Sequence, residues 1–136
     1  MEVKVESKIG RLLSDDHRIF DFFSDCTTFQ KFELTDKVKN WQADRDSFRF
    51  TVDGAGDVTF RIVERHPNDL IKFSIENAHA ENIFLWLQLK AAGPGDTRIK
   101  LTAKMQTNPV LNMLISKPLK QGLDRIVETL ESIYRQ

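Results

Sequence analysis

The sequence predicts an α+β domain in which a seven-stranded, curved antiparallel sheet wraps around a long C-terminal helix, with two short helices between the first and second strands. Three observations carry this. Residues Val38 to Thr107 alternate apolar and polar side chains almost throughout and are cut by turn-forming clusters into six segments. The first segment, up to Ile9, alternates in the same way and is followed by two short apolar stripes at helical spacing. From Pro109 onward the apolar period changes from two to that of a helix and stays there to Tyr134.

In the first strand Val3, Val5, Ser7 and Ile9 share one face and Glu2, Lys4, Glu6 and Lys8 the other, the pattern of a half-buried strand. Ser14 ahead of Asp15 and Asp16 predicts a helix start, because a hydroxyl can cap free amides and carboxylates favour the positive end of a helix. Ile19, Phe20 and Phe23 form its stripe. Ser24-Asp25 restarts the pattern, and a second short helix is expected to about Phe32, burying Phe29 and Phe32.

Turns are expected at Asp44-Arg45-Asp46, Gly54-Ala55-Gly56, His66-Pro67-Asn68-Asp69, Asn77 to Ala80 and Gly93-Pro94-Gly95-Asp96. A loop at Gly54-Ala55-Gly56 sets Val52 opposite Val58, Phe50 opposite Phe60 and Phe48 opposite Ile62. The next turn sets Ile62 opposite Phe73 and Phe60 opposite Ile75, and the one after sets Phe73 opposite Leu85 and Ile71 opposite Leu87. One apolar face then runs across four strands, and Ile99, Leu101, Ala103 and Met105 extend it. The Val38–Ala43 strand leaves open whether Trp41 points in or out.

Asn108 is a good N-cap, and Pro109 falls at the first helical position, where its missing N–H costs nothing. Leu111, Leu114, Ile115, Leu119, Leu123, Ile126, Val127, Leu130 and Ile133 keep helical spacing. A helix of this length spans about 37 Å, enough to cross a sheet. Pro118 inside it costs about 3 kcal/mol in an ordinary context, and Gly122 up to about 1 kcal/mol relative to alanine. Both are expected to mark a bend that follows the sheet's curvature.

The 136 residues suit one domain, 1–136. Twenty basic residues balance twenty acidic ones, so no net field draws the chain to nucleic acid, which is not expected as a partner. One cysteine, Cys26, excludes an internal disulfide, and His17, His66 and His79 lack metal-ligand spacing, so no metal or other cofactor is expected. The charged start of the chain has no apolar h-region and no apolar run is long enough to span a bilayer, so a cytoplasmic protein without an integral membrane segment is expected, as a monomer or weak dimer.

The order of elements resembles the START/SRPBCC superfamily, the helix-grip fold that includes polyketide cyclase-like proteins and lipid-transfer domains. The stretch from Phe60 through Glu64-Arg65-His66-Pro67-Asn68 to Ile71-Lys72-Phe73, then Leu85-Trp86-Leu87-Gln88-Leu89, Asn108-Pro109 and Lys117-Pro118-Leu119, resembles a group of small bacterial SRPBCC proteins. The resemblance covers essentially the whole chain and implies a cavity between sheet and helix for an apolar or amphipathic molecule.

On that reading the cavity lining is Phe50, Phe60, Phe73, Leu87, Leu101, Met105, Leu114 and Pro118, with plain core packing as the competing account of each apolar residue. Met113 at the sheet-to-helix junction is open to the same two readings. No catalytic residue is assigned. Glu64 shares parity with Phe60 and Ile62 and is the acid of inward parity, set at a strand end beside a turn. Phe84 and Trp86 face outward beside Lys72 and Lys104, whose stems can cover the rings. The expected function is binding or carrying a small hydrophobic or amphipathic molecule rather than catalysis. The alternatives are a cyclase- or dehydratase-type enzyme and an interaction module working through the outer sheet face.

Overall fold

The computed structural model describes residues 2–31, 38–54, 56–77 and 80–135. Phe32, Ala55 and His79 lie outside them. The chain runs β1 (Glu2–Glu6), β2 (Gly10–Leu12), α1 (Asp16–Phe23), a 3-10 helix (Cys26–Lys31), β3 (Val38–Ala43), β4 (Ser47–Val52), β5 (Gly56–His66), β6 (Leu70–Asn77), β7 (Ala80–Gly93), β8 (Asp96–Gln106) and α2 (Pro109–Ile133). One antiparallel sheet has the order β1-β8-β7-β6-β5-β4-β3, with β2 also paired to β8. The six strands expected between Val38 and Thr107 are all present as a meander.

Four local features differ from the sequence reading. The first strand is broken in two. Ser7 donates its N–H to the Leu101 carbonyl and accepts the Leu101 N–H on its hydroxyl, both at 2.8 Å, which ends the regular ladder and leaves Ile9 67% exposed. Helix α1 starts from Asp15 rather than Ser14, and the Asp15 carboxylate makes no cap bond but accepts the Gly95 N–H at 2.7 Å. The β4–β5 register is two residues tighter than expected, with Val52 opposite Gly56, Phe50 opposite Val58 and Phe48 opposite Phe60. A shift of two preserves every face, so the apolar surface survives it. The β5–β6 and β6–β7 pairings Ile62–Phe73, Phe60–Ile75, Phe73–Leu85 and Ile71–Leu87 are as expected.

The fourth difference is a bulge at Val63, between the pairs Ile62–Phe73 and Glu64–Lys72. An extra residue in one strand reverses the parity of everything after it. Glu64 therefore lies on the outer face, with Oε1 3.8 Å from Lys72 Nζ, and Arg65 turns to the inner one. There Arg65 Nη2 donates to the Ser24 carbonyl at 2.8 Å and pairs with Asp46 at 2.7 Å, tying the α1 exit to the β3–β4 turn.

The core lies on the inner face. Ile62, Ile71, Phe73, Leu87, Leu89, Ile99, Leu101 and Ala103 of the sheet are buried against Ile19, Phe20 and Phe23 of α1 and Leu123, Val127 and Leu130 of α2. The C-terminal half of α2 is fastened to the link between β1 and β2. Asp124 and Glu131 accept the backbone N–H groups of Lys8 and Arg11 at 2.6 and 3.0 Å. Gly10 lies directly under the helix, where a Cβ would come 2.3 Å from Val127 Cγ1. Gly10→Ala is therefore expected to cost about 1–3 kcal/mol, most of it recovered in the Gly10→Ala/Val127→Ala pair, as measured by urea unfolding.

Asp124 is held below the usual carboxylate range by Lys120 and then the Lys8 N–H, and Glu131 by the Arg11 N–H and then Lys8. Groups with lowered pKa in the folded state stabilise it above their unfolded values, and that stability is lost as pH falls through the folded ones. Below about pH 4, the ordinary carboxylate range, the wild type should lose melting temperature more steeply than the Asp124→Asn/Glu131→Gln variant. Parallel acid limbs would mean the clamp contributes nothing.

Candidate functional site

The inner face has a closed end and an open end. At the closed end, towards the β3–β4, β5–β6 and β7–β8 turns, α1 and the 3-10 helix cap the sheet, and Phe29 meets Phe48 edge-on with centroids 5.2 Å apart. At the open end, towards the β4–β5 and β6–β7 turns and the start of α2, the inward residues Phe50, Val52, Val58, Phe60, Ile75, Ile83, Leu85 and Met105 are all only half-buried. They form partly covered apolar surface beside the core.

Helix α2 comes closest to β1, β2 and β8. At 100° per residue, Ile115, Gly122 and Ile126 share one flank of α2. The buried row Leu119, Leu123 and Leu130 separates that flank from Asp124 and Glu131, which grip the β1–β2 link. Since β1 and β7 lie on opposite sides of β8, the Ile115–Ile126 flank faces the half-covered strands. Ile126 is 48% exposed, and a Cβ on Gly122 would meet open space. This flank of the helix and the half-buried inner residues of the sheet therefore lie on the same side of β8.

The sheet wall is a ladder of near-parallel rings. Trp41 stacks on Phe48 and Phe50 with interplanar angles of 20° and 8°, and Phe48 on Phe60 at 13°. A bulge between Lys39 and Gln42, with Asn40 at φ 58°, adjusts β3 so that Trp41 joins the inward set with Ala43, Phe48 and Phe50. Trp41 thus points inward, which alternation within its own strand left open. Trp41 Nε1 is buried without a hydrogen-bond partner, and so is Thr107 Oγ1, at the start of the link to α2.

The residues expected to line a cavity fall into three places. Phe73, Leu87 and Leu101 are buried in the closed core, while Phe50, Phe60 and Met105 are half-buried at the open end. Pro118 is exposed beside the Ile115–Ile126 flank, and Leu114 lies further round α2 towards solvent, 66% exposed. Met113 is 85% exposed. Trp41 shares the inner face with Phe50 and Phe60, and Ile115 and Ile126 lie on the neighbouring flank of α2; the sequence reading singles out none of the three as lining. An open recess of about 450 Å³ on the other flank of α2, between Asn112, Ser116, Lys120 and β1, is lined largely by polar and charged side chains and is separate from the half-buried apolar surface.

Burial pushes the Cys26 thiol up to about 12, and the inward Arg65 is committed to Ser24 and Asp46. On the outer face, Lys72 Nζ lies 4.6 Å from the Phe84 centroid and 5.1 Å from that of Trp86, and Lys104 Nζ 5.2 Å from Trp86. No described helix is long and apolar enough to cross a membrane.

No family model matches the chain, and no curated protein matches it by sequence. Among solved structures it is similar to a START superfamily protein from Mycobacterium smegmatis, with a TM-score of 0.73 at 15% identity over 99% of this chain and 97% of that one. The fold is that of the START superfamily. Norcoclaurine synthase from Thalictrum flavum, solved in complex with dopamine and hydroxybenzaldehyde, superposes with a TM-score of 0.73 at 11% identity, covering 98% of this chain and 86% of its own. A Rhizobium loti protein gives 0.68 at 16% identity over 97% and 96%. At these identities the START-like likeness is one of fold, and function has to be argued from the site.

The burial gradient sets an expectation. Phe73→Ala, in the closed core, should cost about 3–5 kcal/mol, and Phe60→Ala about half as much, because its ring borders open space. Equal losses in chemical unfolding would mean that the open end is as tightly packed as the closed one.

Proposed function

We propose that the protein binds a small hydrophobic or amphipathic molecule in the cleft between the Ile115–Ile126 flank of α2 and the ring ladder of β3, β4 and β5. The single observation that carries this is the half-buried state of a continuous apolar surface at the open end, directly beside a fully packed core. Leaving that surface wet forfeits about 25 cal/mol for each Å², and a guest of matching shape recovers it. The few polar groups in an apolar wall, Trp41 Nε1 and Thr107 Oγ1, give the usual composition of a small-molecule site.

Binding is favoured over catalysis because acid–base chemistry needs an ionisable side chain next to the substrate. The inward Arg65 is already paired, and the Cys26 thiol, with its raised pKa, is a poor nucleophile. The norcoclaurine synthase neighbour holds dopamine and hydroxybenzaldehyde, and molecules of that size are the scale of guest proposed here. Gly122 and Pro118 fit the same reading, since a side chain at residue 122 would project into the cleft.

The test is a titration with an apolar fluorescent probe. Saturable binding near one probe per chain is expected, and Gly122→Leu should weaken it at least tenfold. The same substitution should raise helix stability by up to about 1 kcal/mol, so lost binding could not be put down to unfolding. Absence of saturable binding across fatty acids, sterols and aromatic probes would falsify the reading.

A further inference from the structure

Trp41 carries a group that the cleft as described does not need. A phenylalanine could also stack on Phe48 and Phe50, whereas the indole adds an N–H that is buried and unpartnered. That nitrogen can only donate, and a buried donor without an acceptor is a standing cost to the free protein. The β3 bulge that brings Trp41 inward also disrupts its own ladder. Two local costs thus meet at one side chain on the cleft wall.

The ring geometry narrows what could offset them. At the closed end the rings pack edge-on or tilted, with Phe22–Phe23 at 87°, Phe29–Phe48 at 76°, Phe23–Phe29 at 59° and Phe22–Phe29 at 37°. From the buried Phe48 outward, Trp41, Phe48, Phe50 and Phe60 are near-parallel, at 8° to 26°. A parallel ladder presents aligned ring edges, the positive rim of the aromatic quadrupole, which favours the π face of a flat guest over a branched aliphatic one.

We infer that Trp41 is a ligand-binding donor, and that the cleft takes a planar, conjugated molecule bearing a hydrogen-bond acceptor oxygen, held by the indole N–H against the ring ladder. This rests on the binding function proposed above and adds the ligand's class and the residue that selects it. Nε1 is closed off in the free protein, so the guest reaches it by displacing the side chains that cover it, and the new hydrogen bond offsets that rearrangement.

An isosteric pair separates the hydrogen bond from the apolar contact: 2-acetylnaphthalene, with a carbonyl, and 2-isopropenylnaphthalene, with a methylene in its place. Both should bind. Trp41→Phe should weaken the ketone about tenfold, the scale of one buried hydrogen bond, and the alkene less than twofold. The indole N–H signal of Trp41 in the wild type, assigned by its persistence in Trp86→Phe, should move downfield with the ketone alone. That signal decides the matter if Trp41→Phe does not fold. If both compounds bind but the indole signal responds to neither or to both alike, the Trp41 assignment is overturned and the cleft stands. If neither binds, the cleft falls and the assignment with it.

Discussion

The close approach of α2 to Gly10 is the contact on which the rest of the arrangement depends. No other residue type leaves room for Val127 at that point, and the break after β1 exists to deliver Gly10 there. Asp124 and Glu131 then fasten the helix to the backbone of Lys8 and Arg11. Exposed carboxylates contribute little as ion pairs, but as acceptors for otherwise unpaired amides they set where the helix sits. With α2 closest to β1, β2 and β8, the α1 and 3-10 segments lie against β6, β7, β3 and β4 at one end of the sheet, and the inner residues at the other end stay half-buried.

Alternation made the strands, their order and most of their pairings legible, because each hairpin turn fixes parity and the apolar face must stay continuous. The helix was legible from its period and its start at Pro109. Bulges were not, since an inserted residue leaves no mark in composition. The bulge at Val63 exchanges Glu64 and Arg65 between faces, and the one near Asn40 decides the direction of Trp41. The width of the α2 stripe hid a second fact. Leu114 and Ile115 are equally apolar, but only docking against β1, β2 and β8 determines which of them turns to the cleft. Alternation therefore places Phe50, Phe60 and Met105 on the inner face, and leaves the direction of Trp41 and the facing of Ile126 to the tertiary structure.

Core and cleft are made of the same residue types and differ in what covers them. Phe73 and Phe60 are neighbours on paired strands, one sealed and one half-open. Their rings meet edge-on at 6.2 Å, so the sealed side supports the open one. On the proposed function such a surface would be preorganised by the packed core behind it, which would reduce the ordering cost of taking up a guest. It also explains why no separate signature for the site exists in the chain: the wall is the continuation of the core.

The lysines over Phe84 and Trp86 bear on a different property, the tendency of copies to associate. The chain has a formal net charge of zero at neutral pH, so no overall repulsion keeps molecules apart. A broad sheet face with two aromatic rings near its centre is the kind of surface on which a second sheet stacks. Lys72 and Lys104 lie across those rings, and burying their ammonium groups between two sheets would carry a heavy desolvation cost. Two lysine ammonium groups thus oppose face-to-face stacking at the aromatic spot on this face, where the total charge offers no opposition.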